Sequence, residues 1–159
     1  MNSSHPSKAA AIAAAVATRL SLITRANGYH TDAGLHVWRG RTAVDANELP
    51  SITLFEQEDQ VEEQRIIAAS TPATIDTNLL LPFVIEASSQ CDPDNPNIDG
   101  HTLVADIKRA IFSGDLTWGS LASHTRYIGR TIGPREGGED IVTVTVQIRI
   151  GYTEDLAQP

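Results

Sequence analysis

The residues in this 159-residue chain whose types could do chemistry are five histidines, a lone cysteine and one acidic loop. The histidines are His5, His30, His36, His101 and His124. A metal site needs ligands brought to one point, most simply by two histidines a helical turn apart, and none of the five stands in such a pair. His30 and His36 meet only if a turn folds one back on the other. Each histidine therefore reads as a surface or capping residue. Asp92, Asp94, Asn97 and Asp99 suggest a calcium loop. The EF-hand spacing, however, wants an acceptor where Pro96 stands, glycine where Asn97 stands, and a distal glutamate that is missing. Cys91 has no histidine nearby in sequence, and there is no Gly-x-Ser-x-Gly elbow. Gly133 and the pair Gly137 and Gly138 fall in a predicted hairpin tip, not between a strand and a helix where phosphate would bind. No spacing pairs two carboxylates across a cleft. The pattern points to no catalytic residue, metal or cofactor.

Recognition chemistry is better represented. Trp38, Arg39 and Arg41 combine the two residue types that dominate interface hot spots. Either they form an exposed contact, or Trp38 packs under the first helix while the arginines cover an acidic neighbour. Arg126, Arg130 and Arg149 fall on a predicted hairpin, with Arg135 and Glu136 in its tip. A four-residue spacing on a strand predicts that Arg126 and Arg130 share a face. Glu56, Glu58, Asp59, Glu62 and Glu63 form an acidic patch, read as a solvated turn, a lumen lining or a partner-facing edge. Opposed between subunits, the arginines and this patch would make a salt-bridge row. Ten arginines against two lysines, Lys8 and Lys108, favour interfaces. A GC-rich genome produces the same bias.

The elements that must position these residues follow from periodicity. From Ile141 to Tyr152 polar and apolar residues alternate, with Val142, Val144, Val146, Ile148, Ile150 and Tyr152 on one side, which predicts a half-buried strand. At ~3.3 Å per residue it runs about 40 Å. A chain of this length has a radius of gyration near ~15 Å, so the strand crosses the whole body or projects from it. Proteins that build rings and tubes use such ribbons more than small enzymes do. An N-terminal helix is predicted from Ser7 to Arg25 on the stripe Ile12, Val16, Leu20 and Ile23, ended by Asn27 and Gly28 as a left-handed cap. Strands follow at Leu35–Arg41, Ile52–Glu56 behind Pro50, Gln64–Ser70 and Ile75–Ser88. In the last of these Pro82 demands an edge or a bulge. Cys91–Asn97 reads as a loop, and Gly100–Ser113 as a second helix capped by Asp99 or Thr102. Its apolar face is Leu103, Ile107, Ala110 and Ile111. Leu121–Ile132 is a weaker strand, and Gly133–Asp140 a mobile tip joining it to the closing strand. The sum is an α+β fold: a mainly antiparallel sheet with two helices on one face and a long C-terminal β-hairpin. It forms one domain over 1–159, with 1–6 and 154–159 expected as flexible ends.

A formal charge of −8 argues against broad binding to nucleic acid or anionic membrane, both of which need a basic face. It remains compatible with a wall that lets DNA slide past without sticking. One cysteine excludes an internal disulfide and fits a reducing compartment. No apolar run reaches the ~18 residues of a membrane span. The segment Ala9–Ala17 behind Lys8 imitates a signal peptide, but the helical stripe continues through Arg19. Synthesis in the cytoplasm is expected.

The succession of elements and short stretches resembles a known family. After the N-terminal amphipathic helix come Asn27-Gly28-Tyr29-His30-Thr31-Asp32, then Val37-Trp38-Arg39-Gly40-Arg41, then Glu48 to Phe55. Later come Asp106 to Phe112 and the closing Val142–Tyr152 strand with Thr153 and Glu154. Across most of residues 8–154 this is similar to the tail terminator and tail-completion proteins of long-tailed phages, including prophage copies. The resemblance implies a small α+β minor tail protein with neither catalytic residues nor cofactor. Six subunits would cap the growing tail tube as a ring, stop polymerisation of the tube protein and present a surface for head–tail joining. Implied partners are further copies of the chain, the tail tube protein, a head-completion or connector protein, and DNA passing unbound through the lumen, with no membrane. The implied place is the head-proximal end of the virion tail. Two other readings stay open: a head–tail connector or baseplate protein of the same fold, and a small-molecule-binding α+β domain, which would show a discrete apolar pocket.

Overall fold

The computed structural model describes residues 6–69, 71–133 and 140–159. Helix α1 (Lys8–Leu20) starts where the Ser7 hydroxyl accepts the Ala10 N–H at 3.3 Å, which satisfies one of the unpaired donors of the first turn. Ile12, Val16 and Leu20 are fully buried, each worth ~1.5–3 kcal/mol of apolar transfer. The helix ends at Leu20 rather than at Arg25. Beyond it the chain turns so that the Gly34 N–H donates to Ile23 O at 2.8 Å. Gly28, with φ 81°, caps a single 3-10 turn (Arg25–Asn27) instead of the α-helix.

Strands β1 (Val37–Arg39), β2 (Ser51–Glu56), β3 (Gln60–Ile67), β4 (Thr74–Gln90), β5 (His124–Ile132) and β6 (Ile141–Asp155) form one sheet in the order β1-β2-β4-β6-β5, with β3 also paired to β4. Only β1 and β2 pair in parallel among these. Helix α2 (Pro96–Phe112) and α1 cover one face. The α+β architecture and the C-terminal β5–β6 hairpin read from the sequence are those observed.

Alternation explains the layering. Leu79, Leu81, Phe83, Ile85 and Ala87 of β4 stand opposite the apolar residues of β6, with Ile85 against Val146 and Phe83 against Ile148, and all are buried beneath the helices. The closing strand is 15 residues long, about 50 Å of ribbon, and β4 matches it with 17.

Pro82 sits within β4, between two paired neighbours. β2 and β3 lie end to end along one edge of β4, β2 against residues 83–88 and β3 against 74–80. Pro82 faces the break between them, where its carbonyl accepts the Gln57 N–H at 3.0 Å and no strand requires its missing N–H. The edge expected for this proline is thus a local interruption inside the sheet.

Other boundaries moved as well: β1 is Val37–Arg39 rather than Leu35–Arg41, because Leu35 closes a 3-10 turn, and β3 is Gln60–Ile67 rather than Gln64–Ser70. α2 begins at Pro96, not Gly100, with Asn95 as N-cap, because proline at the first helical position gives up a donor that has no partner there anyway. β5 begins at His124, not Leu121, because the preceding turn holds Trp118, Gly119 and Ser120 at φ 54°, 70° and 69°. The C-terminal segment expected as a free end starts inside β6, and the Leu156 N–H donates to Ile75 O at 3.0 Å. Among the described residues no helix is long and apolar enough to cross a membrane.

Candidate assembly interface

Of the first interface candidates, Trp38 stands opposite Thr53 in the β1–β2 ladder. Thr53 alternates with the buried Ile52 and Leu54, so Trp38 occupies the sheet face away from the helices and does not pack under α1. Its ring carries the Arg41 guanidinium at 4.5 Å, a cation–π contact, and its buried Nε1 has no hydrogen-bond partner among the described residues. Arg41 also pairs with Glu48 at 3.1 Å. The Asp45 N–H, then Arg41, holds the Glu48 carboxyl below its ordinary pKa. Arg39 pairs with Glu56 at 3.0 Å. Both arginines are therefore engaged within the chain.

The remaining acids lie on a sheet edge. Glu58 and Asp59 belong to the connection opposite Pro82, while Glu62 and Glu63 are inside β3 and not in a turn. Every residue of β3 is exposed, including Val61 and Ile66 at 62% and 63%. Among the described residues β3 pairs with β4 alone, so its outer edge is open over residues 60–66. The pleat sends Val61 and Ile66 to the helix side, opposite Leu79 and Ile75, and Glu63 to the other side, opposite Asn78. Arg65 stands across from Asp76.

The basic candidates occupy the opposite border. β5 pairs only with β6 among the described residues, and a bulge at Ile128 changes its phase: Arg126 faces Arg149, Gly129 faces Gln147 and Arg130 faces Val146. Arg126 thus lies on the helix-free face with Arg149, while Arg130 lies on the helix side. The shared face predicted from their spacing does not hold, because the extra residue of a bulge reverses alternation. Arg126 and Arg149 are directly opposed like charges, an unfavourable cross-strand pair. Among the described residues, Arg126, Arg130 and Arg149 form no ion pair. Glu58 and Arg149 both line a cleft of about 310 Å³ on the helix-free face, with Gln60, Pro82, Val84 and Gln147. On the helix side Tyr127 lies edge-on to Phe112 at 6.2 Å and under Lys108 at 4.5 Å, yet stays 41% exposed, as Ile128 does at 42%. Arg135, Glu136 and the rest of 134–139 lie outside the described residues.

The histidine and acid clusters are occupied structurally. Asp106, 1% exposed, accepts the Thr31 N–H and hydroxyl at 2.8 Å each and the His30 N–H at 3.1 Å, with His30 Nδ1 3.0 Å away. It staples the loop after α1 to α2. The legible signal was an acid inside the Leu103, Ile107, Ala110 stripe, where a buried carboxylate demands donors. In the loop expected as possible calcium ligands, the Asp94 N–H donates to Asp92 and the Asp92 N–H to Asp99, at 2.9 and 3.1 Å. Among the described residues no three His, Cys, Asp or Glu side chains converge as metal ligands would. Asp115 accepts the Thr117 hydroxyl and the N–H groups of Thr117 and Gly119, which bring its carboxyl down to about 2. Arg19, stacked 3.6 Å over Trp118, donates to Asp115 O and Ile111 O and ties α1 to the same turn. At the other end of the sheet, burial first and then Glu154 and Asp59 push the Tyr152 hydroxyl up to about 12, so it stays neutral beside the acidic edge.

No protein-family model matches this chain, and no curated protein matches it significantly in sequence.

Proposed function

We propose that this chain is a non-enzymatic structural protein of a long-tailed phage that caps the tail tube as a ring of six. It ends tube polymerisation and offers the surface to which the head joins. The observation that carries the reading is β3, an eight-residue strand exposed at every position and open along its outer edge among the described residues. A strand with no buried side chain among the described residues adds less to the stability of a monomer than the core strands do and leaves a template for another chain. The long β4–β6 pair, a further edge at β5 that is open among the described residues, and the order of elements similar to tail terminators support the same conclusion. The charge of −8 suits a channel past which DNA slides without adhering. On this reading the partners are other copies of the chain, the tail tube protein and a head-completion protein. The protein, made in the host cytoplasm, resides at the head-proximal end of the tail and uses no cofactor.

The test is direct binding to tubes. Gold-labelled protein mixed with purified tail tubes should decorate one end only and arrest further growth when tube protein is added. Label spread along the tube, or continued growth at normal length, would refute the terminator role. Binding to a portal-side adaptor in place of the tube would move the protein to the connector.

A further inference from the structure

We infer that two of the sheet edges open among the described residues, β3 and β5, are charge-coded for each other, so that β3 of one copy adds to β5 of the next and copies join head to tail, while the three-residue edge β1 takes no part. This rests on the assembly reading above and names the surface that performs it. Four observations combine. First, the edges lie on opposite borders of one sheet, diagonally offset: β3 flanks residues 74–80 of β4, whereas β5 flanks residues 144–151 of β6. Second, strand direction is compatible. β3 is antiparallel to β4, β4 to β6 and β6 to β5, so copies related by rotation about an axis inclined to the strands, by enough to take up that offset, bring β3 and β5 together antiparallel.

Third, the side chains complement on both faces. On the helix side each edge presents exposed apolar residues, Val61 and Ile66 against Tyr127. On the helix-free side Glu63 meets the edge that carries Arg126 and, one strand further in, Arg149. Fourth, the signs exclude the simplest wrong pairing. β5 contains Arg126 and Arg130 and no acid, so two β5 edges would oppose arginines, while Arg65 on β3 already faces Asp76 within the chain. Charges and bulges blunt both edges against indiscriminate pairing, with register shifts between Val61 and Glu63 on β3 and between Tyr127 and Gly129 on β5, so a partner strand must match their signs. An isologous contact closes at two copies, whereas this heterologous one continues until the rotation closes a ring.

The experiment is a two-sided charge swap read as mass by light scattering over a wide concentration range. Glu62→Lys with Glu63→Lys makes the acidic edge basic, and Arg126→Glu with Arg130→Glu makes the basic edge acidic. All four residues are exposed, so circular dichroism of each variant should match the wild type. The wild type should form a discrete oligomer, and each variant alone should associate about 100-fold more weakly or worse, because like charges then face each other. An equimolar mixture should recover the wild-type mass, since each edge again meets its opposite, and so should one chain with all four changes. The inference is overturned by wild-type protein that stays monomeric, by either variant assembling normally, or by a mixture that fails to recover. An Arg126→Glu/Arg130→Glu chain that still dimerises would overturn it in favour of β3 pairing with β3. A ring that obeys the swaps but ignores tube ends sinks the terminator role and leaves the edge pairing standing; a chain that caps tubes yet is indifferent to the swaps does the reverse.

Discussion

Replacing Asp106 by alanine tests whether one buried carboxylate holds the loop after α1 in place. The side chain is 1% exposed and accepts the His30 and Thr31 N–H groups and the Thr31 hydroxyl, with the His30 ring beside it. Hydrogen bonds to a charged group contribute ~1.5–3 kcal/mol each. The simple sum overstates the loss, because the His30 side chain is 68% exposed and regains water. Removal of the carboxylate also ends its desolvation cost. What remains are two backbone donors and a hydroxyl left without an acceptor in a part-buried site, for which ~3–4 kcal/mol is a fair figure, close to that for breaking a buried polar network. With a urea slope of ~2 kcal/mol per molar, the unfolding midpoint should fall by about 1.5–2 M. Asp106→Asn keeps one oxygen but turns an NH2 toward N–H donors, so it should lose roughly half as much. The assay is urea unfolding followed by circular dichroism at concentrations where the protein is monomeric. An alanine variant within about 0.5 kcal/mol of wild type would show that the loop is held by something else.

Three further substitutions probe separate contacts. A Cβ on Gly34 would lie 2.7 Å from the carbonyl oxygens of Leu20, Ser21 and Ile23, so Gly34→Ala should cost ~2–3 kcal/mol by urea unfolding, whereas Gly129→Ala, with open space around it, should stay within about 0.5. Thr125→Val removes the acceptor of Trp118 Nε1, 2.8 Å away, and should cost ~1–3 kcal/mol together with a change in tryptophan emission; an unshifted midpoint would argue against that bond. Asp115 has a folded-state carboxyl lowered from 3.8 to about 2, so its stabilisation is fully present above pH 4 and is lost as the pH falls through 2. Asp115→Asn should therefore be less stable than wild type at pH 7, with a difference that shrinks between pH 4 and pH 2; a gap independent of pH would refute the assignment.

The sequence showed the helices and long strands because alternation and the four-residue stripe are local signals. It could not show what depends on pairing. The bulge at Ile128 sits in a run the sequence marks only as a weaker strand, where Arg126 and Arg130 share a face by spacing alone, and only the β6 register reveals that they part company. Pro82 looked like a breaker, but whether a proline fits a strand depends on what lies beside it, here the gap between β2 and β3. The start of α2 was misplaced because Pro96 was read only as a loop former. Among the interface candidates, the acidic and basic groups were visible as composition. Their placement on opposite borders of one sheet required the strand order.

The arginine excess gains meaning once each residue is placed. A genome bias would scatter arginine among roles lysine could fill equally well. Arg19 instead stacks on Trp118 while donating to two carbonyls, a fork that one ammonium cannot reproduce. Arg41 covers Trp38 and pairs with Glu48, and Arg109 lies over Tyr29 while donating to Gly28 O. These are planar, multidentate uses inside the chain. Arg126, Arg130 and Arg149 have the same chemistry and no ion-pair partner among the described residues; Arg126 and Arg130 lie on the β5 edge and Arg149 on the neighbouring strand β6. The opposed Arg126 and Arg149 raise the energy of the isolated chain, and an acid arriving from outside relieves that repulsion. Arg126→Lys with Arg149→Lys keeps the charge and removes the fork. If the edge is read by bidentate pairing, this conservative change should weaken self-association at unchanged monomer stability; if only net charge matters, light scattering should find the oligomer intact.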